Sequence, residues 1–324
     1  MTKESLRIVY MGTPDFAVES LRCLVEGGYN VVGVVTGPDK AVGRHGSVLQ
    51  PTPVKQYAVE HGLRVLQPEK LKDESFIEEL RSLQADLQIV VAFRMLPEVV
   101  WAMPPLGTFN LHASLLPQYR GAAPINWAVI NGDKETGVTT FFLKHEIDTG
   151  AVIRQVRVPI SDTDCVGDVH DRLMLLGGSV VCETVDAIID GSAVATPQEL
   201  MLPAEELRPA PKIFKETCLI DWKKTTKQVY DFIRGLSPYP AAWTMLVAPD
   251  GTETVLKIYE AVVAEEPVLS QPYGAIETDG KSYLYIHTAD GALSIRSLQL
   301  AGKKRMGVGD FLRGSRIDDC YRVK

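Results

Sequence analysis

The chain has 324 residues, 45% of them apolar and 23% charged, with a formal net charge of −7. That length exceeds one ordinary domain core and suits two, and the composition excludes wholesale disorder. Taken alone, the negative charge argues against a polyanion partner, although its distribution matters more than its total.

Met1–Arg7 is followed by no apolar h-region, so no signal peptide is expected. Leu6–Met11 reads as a strand, and Phe16, Ala17, Leu21, Leu24 and Val25 then recur at helical spacing. Val31–Val35, Leu87–Ala92, Thr108–His112 and Val138–Phe142 are further strands. Helical patterns at 53–61, 74–83 and 124–131 separate them. Continuous apolar strands alternating with helices predict a mostly parallel sheet covered on both faces, a doubly wound Rossmann-like α/β domain. A long helix is expected over 171–189. The stretch 203–211 then carries three prolines, a linker composition. Past a short helix at 226–234, alternating strands are expected at 242–246, 255–263, 274–277, 283–288 and 292–300, with Asp-Gly turns between them. This is the signature of a small OB-like β-barrel. The predicted architecture is thus a first domain over 1–205 and a second over 206–324.

Positive charge gathers late in the chain. From Ala301 to Lys324 seven Lys and Arg stand against three Asp, and from Pro209 to Gly235 six stand against three acidic residues. The plainer reading of both stretches is a solvated basic face. The five cysteines (Cys23, Cys165, Cys182, Cys218, Cys320) are odd in number and form no C-x-x-C, which suits reduced thiols in the cytoplasm. No run of about 18 apolar residues offers a membrane span.

The first βα turn, Gly12–Phe16, lacks both G-x-G-x-x-G and a P-loop lysine, which disfavours a nicotinamide or nucleoside triphosphate site. The strongest segment is N-L-H-A-S-L-L-P-Q-Y-R-G-A-A-P-I (Asn110–Ile125). Asn110 and His112 are two apart on a strand, on one face, at the end where doubly wound sheets bind ligands. Asp148 falls just past the next strand, within K-H-E-I-D-T-G (Lys144–Gly150). Together Asn110, His112 and Asp148 would form an acyl-transfer site: amide and imidazole donors for an oxyanion, and a carboxylate that orients the imidazole and favours its charged form. The substrate's own amine would then be the nucleophile. The single D-T-G does not make an aspartic protease of two lobes. His145-Glu146 begins a zincin-like motif that Thr149 breaks, so no metal is expected. The long loop over 36–51 is glycine-rich and carries Lys40, Arg44 and His45. It is either a mobile solvated loop or an arm that grips an anionic partner.

These residues resemble the folate-dependent formyltransferases, and in particular their tRNA-acting branch. The resemblance runs nearly end to end: R-I-V-Y-M-G-T-P-D-F-A (Arg7–Ala17), P-D-K-A-V-G-R (Pro38–Arg44), the Asn110–Ile125 segment, T-G-V-T (Thr136–Thr139), D-T-G, A-P-K-I (Ala210–Ile213), I-D-W (Ile220–Trp222), I-R-G-L-S-P-Y-P (Ile233–Pro240) and G-K-K-R-M (Gly302–Met306). It implies transfer of formyl from 10-formyltetrahydrofolate to the α-amino group of methionine on initiator tRNA, by a cytoplasmic monomer without a metal. It implies Asn110, His112 and Asp148 as catalytic residues. Ser114, Leu115, Leu116 and Pro117 would belong to the folate pocket, with backbone of Val91–Leu96 and Glu146–Asp148 bordering the pterin. Lys40 and Arg44 would lie on a tRNA-contacting insertion, and Lys212, Lys215, Lys303, Lys304 and Arg305 would be phosphate contacts. Two departures fall near the pocket: Phe93-Arg94-Met95-Leu96, where an aromatic followed by Gly is common, and Glu146-Ile147 before D-T-G. Two alternatives stand beside this. A sugar-nucleotide formyltransferase or a formyltetrahydrofolate hydrolase shares the catalytic segment, and a tRNA-binding module with a decayed site would share the basic domain.

Overall fold

The computed structural model describes the chain apart from residues 43–47, 204–205, 266 and 268–270. Two compact units result. Met1–Gly121, Thr136–Val158 and His170–Pro209 form the first; Ala122–Glu135, Pro159–Val169 and Ala210–Lys324 form the second. Among the described residues no helix is long and apolar enough to cross a membrane.

The elements run β1 (Ile8–Gly12), α1 (Asp15–Glu26), β2 (Val31–Val35), β3 (Lys40–Val42), β4 (Val48–Gln50), α2 (Pro53–Glu60), β5 (Val65–Leu66), α3 (Glu74–Ser82), β6 (Leu87–Val91), α4 (Glu98–Trp101), β7 (Thr108–His112), α5 (Pro124–Ile130), β8 (Glu135–Phe142), β9 (Val152–Pro159) and α6 (Val166–Asp190). The main sheet has the order β5-β2-β1-β6-β7-β8-β9. Its strands are parallel from β5 to β7, and β8 is antiparallel to β7. β1 and β6 are buried throughout, as strands covered on both faces must be. On one face Val9, Met11 and Val90 pack with Phe76 and Leu80 of α3 and Val100 of α4. On the other, the Tyr10 hydroxyl donates to the Ala17 carbonyl of α1 at 2.5 Å. The chain order reverses between β1 and β6, and the crevice beyond their carboxyl ends is where such sheets bind ligands.

In the second unit, α7 (Thr226–Leu236) is followed by β10 (Ala242–Val247), β11 (Glu253–Val263), β12 (Ile276–Thr278), β13 (Leu284–His287), β14 (Ala292–Leu300), β15 (Met306–Gly307), α8 (Val308–Gly314) and β16 (Arg322–Val323). The sheet order is β12-β13-β14-β11-β10-β16, with β15 on β14. A bridge between Ala275 and Arg322 brings its two ends together, so the sheet is a nearly closed antiparallel barrel. Val229, Ile233 and Leu236 of α7 join Ile258, Ile286 and Leu298 in its core. A reciprocal capping box of Thr225 and Gln228 starts α7.

Several elements differ from the sequence reading, among them the short β5, α4, β15, α8 and β16, which it did not contain. β9 forms at the sheet edge, where the outward charges of Arg154 and Arg157 are tolerated but hide the strand's apolar alternation. α6 begins at Val166 rather than 171. The long loop contains the hairpin β3–β4, whose exposed strands carry no burial pattern to read.

Within the second unit Asp231 and Arg234, 4% and 5% exposed, form an ion pair at 2.7 Å. The guanidinium also donates to the Ser161 and Asp164 carbonyls. Removing one partner strands a buried charge, so Asp231→Ala should destabilise the protein by about 3–5 kcal/mol, read from urea unfolding.

Candidate active site

β7 ends at His112, whose Cα pairs with that of Thr139 on β8. The chain then folds back through residues 113–121 and grips the imidazole from behind. The His112 Nε2 lies 2.8 Å from the Tyr119 carbonyl. A carbonyl only accepts, so Nε2 carries a proton and Nδ1 is left to face the site. Nδ1 lies 3.8 Å from Asp148 Oδ2, with the two side chains 7% and 12% exposed. That gap exceeds a direct hydrogen bond. Asp148 Oδ2 also accepts the Gly121 N–H at 2.9 Å. One loop therefore positions both members: residue 119 holds the imidazole and residue 121 holds the carboxylate. Asn110 sits two residues earlier on β7, half-buried, on the same face by strand alternation.

The loop's geometry is demanding. Tyr119 and Asp148 both take left-handed backbone conformations (φ +59° and +54°), and Gly121 has φ +129°. Such conformations are costly for non-glycine residues and persist only where the surroundings fix them. Gly150 answers a different constraint: a Cβ there would lie 1.6 Å from the Phe142 carbonyl. The fully buried Gln198, on a 3-10 turn far along the chain, reaches the same place. Its amide nitrogen donates to the Asp148 and Gly150 carbonyls at 2.8 and 2.9 Å, and its oxygen accepts from Arg120 Nη2 at 2.7 Å. Sequence reasoning missed Gln198, which carries no signal beyond a preceding proline.

Of the four residues assigned to a folate pocket, Ser114, Leu116 and Pro117 are buried and Leu115 is half-buried. The Ser114 hydroxyl is committed to the Gln118 carbonyl at 2.6 Å. Thr139 holds this backbone: it donates to the Ser114 carbonyl and accepts from the Leu116 N–H. Gln155 of β9 donates to the Leu116 carbonyl at 2.9 Å. The loop after β8 meets α4, through His145 against Trp101 and Glu98. Met95 on the loop after β6 and Ile147 on the loop after β8 are 72% and 58% exposed, apolar surface available to a ligand. A cleft of about 560 Å³ is lined by Leu71, Ile77 and Met95–Val99, though not by His112 or Asp148. Arg94, the first departure, donates to the Glu69 and Pro68 carbonyls. The stretch 206–208 is not free: Gln118 donates to the Glu206 carbonyl and accepts the Arg208 N–H.

The described cysteines are free. Burial pushes the Cys182 thiol up to about 12 and raises Cys23, Cys165 and Cys218, so none of these four is poised as a thiolate nucleophile.

Comparison with known proteins decides the family. A formyl transferase family model matches residues 6–185, and a model of the formyl transferase C-terminal domain matches 212–316. The chain belongs to the formyl transferase family. It is 72% identical to a methionyl-tRNA formyltransferase of Phocaeicola vulgatus and 70% to one of Parabacteroides distasonis, each over all of both chains. Among solved structures, an N-formyltransferase of Helicobacter canadensis with folinic acid and dTDP-3-aminofucose gives a TM-score of 0.63 at 19% identity, over 93% of this chain and 100% of that one. HypX of Aquifex aeolicus with tetrahydrofolic acid also gives 0.63, at 20% identity, over 97% of this chain. This chain spans 48% of HypX. At such identities these likenesses show the fold.

The formyl transferase C-terminal domain carries an outward face of basic and aromatic residues. Register pairs Trp243 of β10 with Lys257 of β11, and Lys257 with Gln299 of β14, so all three point the same way. Lys215 lies over the Trp243 ring at 5.9 Å and Arg305 over the Tyr259 ring at 4.4 Å. Lys212 lies over Phe214. Lys303 and Lys304 are exposed, as is Lys40 on β3 of the first unit; Arg44 lies outside the described residues. Sequence reasoning missed Lys257, which stands alone within a strand.

Thr139→Val would leave the Ser114 carbonyl, the Leu116 N–H and the Gln155 amide each short of a partner. It should cost about 1–3 kcal/mol, measurable as a lowered unfolding midpoint.

Proposed function

We propose that this chain transfers the formyl group of 10-formyltetrahydrofolate to the α-amino group of methionine on initiator methionyl-tRNA, acting as a cytoplasmic monomer. Relatives named methionyl-tRNA formyltransferase at 66–72% identity over the whole chain support the acceptor. A single asymmetric tRNA ligand suits a monomer. The observation that carries the chemistry is the arrangement of His112, with Nε2 tied to a carbonyl and Nδ1 turned to the Asp148 carboxylate.

The steps follow from that arrangement. The folate lies along the Ser114–Pro117 backbone and the apolar rim of Met95 and Ile147. The neutral methionyl amine attacks the formyl carbon and an oxyanion forms. Asn110 and the Nδ1–H of a charged His112 donate to it. Asp148 stabilises that charge across a gap open to a bridging water, and closer approach is expected once substrate is bound. The amine's proton passes to the Asp148 carboxylate or this water. The oxyanion collapses, the bond from the formyl carbon to N10 breaks, N10 takes up the proton that the amine gave up, and tetrahydrofolate leaves. No thiol or hydroxyl of the enzyme is acylated.

His112→Ala and Asp148→Asn should each lower kcat roughly 1000-fold while tRNA still binds. The assay mixes the protein, charged initiator tRNA and the folate donor and measures formylmethionine. Near wild-type turnover by either variant would remove that residue from the mechanism.

The basic and aromatic face is where the acceptor's phosphates dock in this reading, with Lys212, Lys215, Lys303, Lys304 and Arg305 joined by Lys257. Lys40 and Arg44 serve the other unit. Lys257→Ala and Arg305→Ala should raise the KM for tRNA several-fold and each lower the salt dependence of log Kd by about one ion. The KM for the folate should stay unchanged.

A further inference from the structure

We propose that Gln198 is the positioning residue for Asp148, acting as a buried strut that Arg120 holds in its one effective orientation. The inference rests on the reading of Asp148 given above. Gln198 is fully buried, and both sides of its amide are engaged. Its nitrogen donates to the carbonyls of Asp148 and Gly150, on either side of Thr149. Its oxygen accepts from Arg120 Nε at 3.1 Å and Nη2 at 2.7 Å. The guanidinium has only donors, so it settles which end of the amide is oxygen and forces the nitrogen toward the two carbonyls.

The strut is placed where help is needed. Asp148 has φ +54°, a conformation that an L-residue abandons unless its neighbours fix it. Among the described residues its carboxylate is held by the Gly121 N–H, and it meets His112 at 3.8 Å without a direct bond. Rotation about the Asp148 N–Cα bond would swing its carboxylate away from Nδ1 and its carbonyl along with it, and Gln198 opposes that rotation by holding the carbonyl. The strut is anchored in turn: Thr196, two residues earlier, makes reciprocal backbone hydrogen bonds of 2.8 Å with Val152 at the start of β9. Arg120 and Gly121 are sequence neighbours, so one short segment sets the strut and the carboxylate together. This gives the R-G pair of the Asn110–Ile125 segment a physical role.

The test uses the full-length enzyme with methionyl-tRNA and 10-formyltetrahydrofolate, assayed well below each variant's unfolding temperature. Gln198→Met keeps the shape without the donors and should lower kcat 10- to 100-fold, with both KM values within about twofold. Gln198→Glu keeps an acceptor for Arg120 but loses the donors, and should be at least as slow. In single-turnover measurements Gln198→Met should add nothing further to Asp148→Asn. A kcat for Gln198→Met within twofold of wild type overturns the inference. So does a loss carried by KM alone, a loss that only follows the unfolded fraction, or a full additive loss in the double variant. If Asp148→Asn itself turns over at a near wild-type rate, the reading of Asp148 fails instead, whatever Gln198 does.

Discussion

The site depends on one hydrogen bond, from His112 Nε2 to the Tyr119 carbonyl. An imidazole has two nitrogens and one ring plane. Fixing the first nitrogen to an acceptor assigns its proton, sets the plane and leaves a single position for chemistry. The sequence reading gave the orienting task to Asp148. The structure divides it: the backbone carbonyl orients the ring, and the carboxylate faces the remaining nitrogen. An aspartate relieved of orienting the ring can stand 3.8 Å off, far enough for a water or a reacting group to share the space.

That hydrogen bond needs residue 119 to turn back on residue 112, and the return is expensive in backbone terms. Tyr119 and Asp148 are both left-handed. The compensation comes from elements distant in sequence. Thr139 of β8 and Gln155 of β9 hold the start of the loop, Arg208 its middle and Gln198 its partner loop. A doubly wound sheet makes this economical, because its strand ends and the connections leaving them gather at one edge. Flexibility there would be ruinous, since a shift of about 1 Å in a reacting group can cost 100-fold in rate. The dense polar fixing of residues 112–121 is what a pre-organised site requires.

The fold was legible wherever burial imposed a period. β1, β2 and β6 are rich in apolar residues because a sheet covered on both faces buries them, and their sequences say so. β9 was illegible because it lies at an edge, and β3 and β4 because their residues are exposed. The site divides in the same way. Asn110 and His112 on β7, and Asp148 beyond β8, could be proposed from sequence because their residue types together name a chemistry. Gln198 could not, because an amide's value lies in three-dimensional partners that no local pattern encodes. Lys257 was overlooked because a lone lysine in a strand reads as solvent-facing. Only the register with Trp243 and Gln299 reveals the row it belongs to.

The same register resolves an apparent conflict between a net charge of −7 and a polyanionic acceptor. Affinity for phosphates is set by cations within a Debye length, about 8 Å at physiological ionic strength, and not by the sum over the chain. On the barrel, neighbouring strands lie about 4.8 Å apart, so Trp243, Lys257 and Gln299 span a patch of that size. Arg305 lies over the Tyr259 ring and Lys215 over the Trp243 ring. A cation held over a ring loses less side-chain freedom on binding than one projecting into solvent.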